Sequence, residues 1–385
     1  MEGKGKIAKV LFVNKYGPFG TVITGHTANE LANYLYVNGV DVEFLSMEAS
    51  YRSNRKTDQE ILDYPKKLIR SSYDGDHPML RFIFSLVDGF RLFLKSLRIK
   101  KDVIIVMTEP PLLFLWFQLF RWTYRAKLIY WTMDVYPEAF VAGKFIKESN
   151  VFFRIFKRIV YSRPPDFLIV LGNEQLRFLE SKFKCSVQHA MIPCGVIHKN
   201  YIQSNPSISN GKIVFGYSGN LGAAHDPEFL VELIHQLDEK KHHIVLSLYG
   251  TKAESIKKLF KENKSVSFKN SVSYEDIASM DVNIASLLPA WNHICVPSKA
   301  VTAICCGSTL LINSNKSADT WKMFSQAGWL VEPEMPYQEQ ISNYLSNLNK
   351  AEILSRKEKA KIIASKCLVD TQEAYESIHV FIDAR

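Results

Sequence analysis

Two short segments of this chain combine glycines, small polar side chains and a basic residue in an order suited to holding an anion. In Val296-Pro297-Ser298-Lys299, Pro and Ser are residues that a helix start selects. Lys299 is not, because a cation in a first turn meets the positive end of the helix dipole. A phosphate bound there reverses that penalty, so Ser298 and Lys299 are candidates for binding one. The second segment is Tyr217-Ser218-Gly219-Asn220-Leu221-Gly222, running on to His225 and Asp226. Gly219 and Gly222 let the backbone approach a ligand. Asn220, His225 and the N–H groups of the following helix can converge on an anion. The plainer alternative is a strand–helix turn with Asp226 as its N-cap.

Two further segments carry weaker signals. Trp131-Thr-Met-Asp134 and Val135-Tyr-Pro-Glu138 bring two carboxylates, Asp134 and Glu138, to one strand–helix junction. They can serve acid–base work or bind hydroxyls; otherwise Asp134 is a helix cap and Glu138 a solvated first-turn acid. Near the start, Tyr16-Gly-Pro-Phe-Gly20 and Gly25-His26 follow an apolar run. They read as an acceptor-side loop or as an ordinary glycine-rich connection. The spacing is not G-x-G-x-x-G, so a dinucleotide fingerprint is absent.

These segments need elements to hold them, and the pattern supplies the elements twice over. Short β-branched or aromatic runs at 7–14, 40–46, 102–108, 127–134, 166–172 and 187–193 predict buried parallel strands, with helical stretches between. Residues 51–77 are polar without a period and read as a loop. A stretch rich in Asn, Ser and Gly at 195–212 reads as a linker. The alternation then restarts, with strands expected at 212–219, 243–250, 266–270, 282–288, 309–313 and 329–331. The expected fold class is α/β: two doubly wound, Rossmann-like domains facing a central cleft, at 1–200 and 201–368, with a helix at 369–385 packing back on the first domain. In such sheets ligands bind at the carboxyl ends of the strands, where all four segments fall.

Composition narrows the classes. The net charge of +9 fits phosphates, anionic lipid or nucleic acid, but the basic residues form no nucleic-acid motif. Six cysteines form no C-x-x-C pair, and a reducing cytoplasm is expected. The longest apolar run, 110–120, falls short of the roughly 20 residues a spanning helix needs, and the start enters a strand without the pattern of a signal peptide. Between Arg52 and Lys101 stand 12 Lys or Arg against 6 Asp or Glu, interleaved with Phe82, Ile83, Phe84, Phe90, Phe93 and Leu94. Basic residues among aromatics suit an anionic membrane surface; the alternative is a core helix with solvated basic flanks.

Taken in order, the motifs resemble those of the GT-B glycosyltransferases of family 4, also called group 1, and especially of members that build bacterial polysaccharides and lipopolysaccharides. The matching pieces are Gly39-Val-Asp-Val42, Thr108-Glu-Pro-Pro111, Asp134-Val-Tyr-Pro-Glu138, Ile192-Pro-Cys-Gly-Val196, the S-G-N-L-G-x-x-H-D run at 218–226, and V-P-S-K with Gly307 eight residues after Lys299. The resemblance implies a cytoplasmic enzyme, peripheral on the inner face of the membrane. It would move a sugar with retention from a nucleotide diphosphate donor to a saccharide or lipid-linked acceptor, without an obligatory metal or other cofactor. It places Gly219, Asn220, Gly222, Tyr249, Gly250, Ser298 and Thr302 on the donor side, with Gly20, Gly25, His26 and Glu138 on the acceptor side. Asp134, His225 and Lys299 would stand nearest the chemistry. Two departures stand out. The Glu-x7-Glu pair of many relatives is replaced by Ile294 and Thr302, and their Arg and Lys on the first turn of the second domain by Asn220 and His225. A nucleotide-sugar epimerase of the same architecture, or a catalytically weak partner subunit, are the rival readings.

Overall fold

The computed structural model describes residues 7–18, 22–48, 62–73, 78–197 and 211–384. The chain divides into two compact units, one made of residues 1–194 with 371–385 and one of 195–370. The boundaries thus fall a few residues from the expected 200/201 and 368/369.

The first unit is a seven-stranded sheet: β1 (Lys9–Val13), β2 (Asp41–Glu48), β3 (Lys66–Arg70), β4 (Val103–Val106), β5 (Lys127–Trp131), β6 (Phe167–Val170) and β7 (His189–Met191), in the order β3-β2-β1-β4-β5-β6-β7. All pairings are parallel. Residues of β4 and β6 are buried on both faces, as their unbroken V-I-I-V and F-L-I-V runs require. Strand β3 corrects the reading of 51–77 as a loop. It is an edge strand, Lys-Lys-Leu-Ile-Arg, whose side chains are largely solvated, so its sequence lacks the apolar signal of the central strands. Residues 51–61 and 74–77 of that stretch lie outside the described residues.

Helices of this unit are α1 (Ile23–Val37), α2 (Pro78–Leu97), α3 (Leu113–Leu119), α4 (Glu138–Ala142), α5 (Val151–Val160) and α6 (Asn173–Phe183). α2 and α5 both pack against the apolar α3. Of the α2 side chains expected to face lipid, the aromatics turn inward. Phe93 is buried, Phe90 packs on Trp116, Phe82 on Phe140 and Phe84 on Tyr73. The exposed stripe is aliphatic instead: Leu80, Ile83, Val87 and Leu94.

The second unit is a six-stranded parallel sheet of β8 (Ile213–Asn220), β9 (His242–Tyr249), β10 (Val266–Phe268), β11 (Val282–Ser286), β12 (Thr309–Asn313) and β13 (Gly328–Val331), in the order β10-β9-β8-β11-β12-β13. Its helices are α7 (Pro227–Gln236), α8 (Ala253–Leu259), α9 (Tyr274–Ser279), α10 (Ser298–Cys305), α11 (Asp319–Phe324), α12 (Tyr337–Asn347) and α13 (Lys350–Asp383). Local chemistry starts them. Asp226 accepts from the Glu228 and Phe229 amides with Pro227 behind it, and Ser273 with Asp276 forms a capping box on α9.

The expected terminal helix is the end of a much longer one, the 34-residue α13. Its first part buries Ile353, Ala360 and Ala364, and Lys357 forms a fully buried ion pair with Asp281 at 3.1 Å. Asp281 also accepts the Val214 N–H at 2.9 Å, which satisfies its second oxygen. The last part belongs to the first unit: Tyr375 packs on Tyr34 and Phe381 on Phe167, with ring centroids 5.4 and 4.8 Å apart.

Candidate functional site

In each sheet the strand order reverses beside its first strand, between β1 and β4 and between β8 and β11. The crevice beyond the carboxyl ends of strands at such a switch point is where doubly wound sheets take ligands.

In the second unit this point is formed by the turn 220–226, the turn after β9 and the start of α10. Lys299, in the first turn of α10, reaches β8: its Nζ donates to the Tyr217 hydroxyl at 2.6 Å and to the Asn220 carbonyl at 3.1 Å. It also lies 3.9 Å from the centroid of the Tyr217 ring. Burial pushes the Lys299 ammonium down to about 7. Gly219 has a φ of +127°, and Lys299 passes beside it. Ser298 opens the helix, which has no side-chain cap.

His225 is held by Nδ1, which donates to the Ser286 carbonyl. A carbonyl only accepts, so the proton is on Nδ1 and the ring offers the lone pair of Nε2. Burial, followed by the charges of Lys299 and Lys252, keeps the imidazole well below its usual range and therefore neutral. The ring as it stands accepts a hydroxyl more readily than it donates to a phosphate. Asp226 is structural. One oxygen caps α7 and the other accepts from Tyr337, while its N–H donates to Ser286 Oγ at 2.8 Å.

The turn after β9 is laced to this one. Leu221 N–H donates to the Tyr249 carbonyl at 2.7 Å and Lys252 N–H to the Leu221 carbonyl at 3.3 Å. Gly250 has a φ of +101°, and a Cβ there would lie 2.0 Å from Asn220 Oδ1, so glycine is required. Burial, followed by the charge of Tyr249, pushes the Tyr217 hydroxyl well above its usual range. Gly222 lies against the Asn220 amide, 3.0 Å from where its Cβ would be. Thr302 stands apart from this cluster: it is buried, and its hydroxyl accepts the Val196 N–H at 3.2 Å, tying the loop that follows residue 194 to α10.

In the first unit, Asp134 follows β5, and its N–H donates to Thr108 Oγ1 at 3.4 Å. Next to Thr108, Glu109 is pushed up to about 7 by burial and by the Asp134 charge, against Lys15 and Arg81. Lys15 N–H donates to the Glu109 carbonyl at 2.7 Å, so the ends of β1 and β4 meet there. Asp134 also helps to raise the Cys194 thiol to about 12, after burial. Glu138 does not join this group through its carboxylate, which accepts from the Tyr161 hydroxyl at 2.7 Å, while Oε1 is buried without a partner. Gly25 lies in the first turn of α1, where a Cβ would come 2.6 Å from the Gly17 carbonyl, and His26 follows it. Gly20 lies outside the described residues.

Sequence reasoning named Lys299, Asn220, His225, Gly219, Gly222 and Gly250, which the fold gathers at one sheet end. It gave no role to Tyr217, which it quoted at the head of its segment, nor to Glu109 and Lys252. Glu109 sat inside the quoted Thr108–Pro111 segment, and its type alone was a signal. Lys252 had none.

Two parallel, doubly wound Rossmann-like sheets in tandem, each with polar residues at its switch point, are the GT-B fold. No family model matches the chain. Among curated proteins it is similar to a probable glycosyltransferase, WbjE of Pseudomonas aeruginosa, at 24% identity over 275 residues, which cover 65% of this chain and 68% of that protein. Among solved structures it is similar to WaaG, a glycosyltransferase of lipopolysaccharide biosynthesis, with a TM-score of 0.68 and 14% identity over 98% of this chain and 100% of that one. It is similar also to Alr3699/HepE of Anabaena in complex with UDP and glucose, with a TM-score of 0.65 and 14% identity over 96% and 99% of the two chains.

Proposed function

We propose that this chain transfers a sugar from a nucleotide diphosphate sugar to a saccharide acceptor, with retention at the anomeric carbon, in building a cell-surface polysaccharide or lipopolysaccharide. The observation that carries the reading is the half-buried Lys299 ammonium, held at the β8 turn by Tyr217 and Asn220. The bond from the anomeric carbon to the β-phosphate oxygen breaks, and its electron pair stays on that oxygen. The acceptor oxygen forms the new bond to that carbon, and its proton passes to the Asp134 carboxylate. A cation and backbone amides already in place meet the charge that grows on the leaving diphosphate. On this reading Lys299, Ser298, Asn220, Gly219 and Gly222 hold the diphosphate, and Tyr249 and Gly250 shape the adjoining wall. Thr302 acts through the Val196 loop. Asp134, with Gly25 and His26, serves the acceptor. The UDP and glucose held by Alr3699/HepE support a nucleotide-sugar donor.

The acceptor we propose is lipid-linked, with the protein working on the cytoplasmic face of the membrane as a peripheral enzyme. No helix among the described residues is long and apolar enough to cross a bilayer. The exposed aliphatic stripe of α2 stands among Arg81, Arg91, Lys95 and Arg98, and α5 exposes Val151, Phe152 and Ile155 beside Arg154 and Arg158. Apolar side chains rimmed by cations suit an anionic bilayer surface.

The test is a thermal-shift screen of UDP-, GDP- and ADP-sugars, since a ligand that binds only the native state raises the melting temperature. The ligand that stabilises is then followed by NMR of its anomeric proton during transfer. Stabilisation by none of them, with the protein folded, overturns the reading.

A further inference from the structure

The turn that joins β8 to α7 has an ammonium group at each end. At its start Lys299 Nζ donates to the Asn220 carbonyl at 3.1 Å. At its far end Lys252 Nζ donates to the His225 carbonyl at 2.7 Å. Lys252 arrives from a different strand, on the turn that follows β9. The backbone bonds of Leu221 with Tyr249 and Lys252 hold that turn in place, and Gly250 lets it come close to Asn220.

The turn has little else to answer an anion with. The imidazole of His225 is neutral, with its Nδ1 proton committed to Ser286. Asp226, its one carboxylate, is engaged by the α7 amides and by Tyr337. The positions where the resembled family carries Arg and Lys hold Asn220 and His225. A diphosphate carries between two and three negative charges near neutral pH, more than one desolvated ammonium balances. A second cation at the opposite end of the same turn completes the charge complement that the turn's own sequence lacks.

We propose that Lys252 is the second cation of this site and that it binds, together with Lys299, the diphosphate of a nucleoside diphosphate. The inference rests on the nucleotide-sugar reading above and assigns the charge to a residue 27 positions downstream of the turn it serves. The bond to His225 alone would make Lys252 a clamp for the turn. Charge and clamp are separable, because a glutamine amide can still donate to that carbonyl but carries no charge.

The experiment titrates UDP and UMP calorimetrically into the full chain, into Lys252→Gln and into Lys252→Arg, with melting temperatures measured alongside. Expected are a roughly tenfold loss of UDP affinity in Lys252→Gln, near-native affinity in Lys252→Arg, and a smaller loss for UMP, which lacks the second phosphoryl group. The slope of log affinity against log salt should also fall in Lys252→Gln. UDP affinity in a folded Lys252→Gln within twofold of the parent overturns the proposal and leaves the nucleotide-sugar reading standing. Equal losses for UDP and UMP, or recovery by Gln as complete as by Arg, reduce Lys252 to a clamp and also overturn it. If the parent chain binds neither UDP nor, in parallel titrations, GDP or ADP, both the reading and the proposal fall.

Discussion

The Lys299 ammonium stands 2.6 Å from the Tyr217 hydroxyl, which in turn lies 3.2 Å from the Asn220 carbonyl that Lys299 also reaches. A long side chain is thereby fixed across the end of β8 before any ligand arrives. Lys299→Ala should therefore weaken UDP binding by about 1.5–3 kcal/mol, the worth of a charge-assisted hydrogen bond, with the fold retained by circular dichroism.

The same burial gives this contact a pH signature. The ammonium titrates at about 7, so the cation is present below that pH and is lost as pH rises through it. UDP affinity should fall above pH 7, approaching tenfold per pH unit when binding must take up the missing proton. Calorimetry from pH 6 to 9 checks this: Lys299→Ala should lose that part of the dependence, and a flat profile in the parent chain counts against it.

Asp134 and Glu138 are four residues apart in sequence but differ in their partners. Asp134 shares its surroundings with Glu109, whereas the carboxylate of Glu138 accepts from Tyr161. Asp134→Asn should lower turnover about 100-fold or more, as expected for loss of a group that handles the acceptor proton. Glu138→Gln, which can still accept from Tyr161, should leave the turnover number near that of the parent. Steady-state kinetics decide it, and a comparable loss in a folded Glu138→Gln would reverse the assignment.

Glu109 makes a separate claim on stability. Its carboxyl is held at about 7 in the fold, above the ordinary 4.5. The folded state therefore binds more protons between those values, and stability falls as pH rises from about 4.5 through 7, by up to about 3 kcal/mol from this group. Glu109→Gln should remove that contribution and be more stable than the parent at pH 8 relative to pH 5. Urea denaturation at the two pH values measures the difference.

Membrane attachment should depend on the aliphatic stripe of α2 and not on its aromatics. Ile83 and Val87 are 47% and 42% exposed, so Ile83→Glu with Val87→Glu leaves the core intact. The parent chain should float with liposomes containing anionic lipid at low salt, less so at high salt, and the double variant should not. Failure of the folded parent to float at low salt sinks the membrane reading.

The central strands were legible because burial on both faces writes itself as unbroken apolar runs, as in Val103–Val106 and Phe167–Val170. The edge strand Lys66–Arg70 was not, since a solvated edge is selected for charge. The helix α13 was only half visible. Its face changes partner along its length, so no single period runs through its 34 residues. The turn after β8 could be read because glycine and helix-start chemistry are local. Lys252 could not, because the bond that gives it a role joins two turns brought together only by sheet pairing.

The passage of α13 from one unit into the other sets an order of events during synthesis. Residues 1–194 leave the ribosome long before Tyr375, Ile378 and Phe381, which complete that unit's packing around Tyr34 and Phe167. Until residues 371–384 emerge, the nascent first unit keeps an uncovered apolar seam, while residues 195–370 make up the whole of the second unit. The half that is made first is the half that finishes last, and a chain stalled or truncated before residue 371 presents that seam to chaperones and proteases.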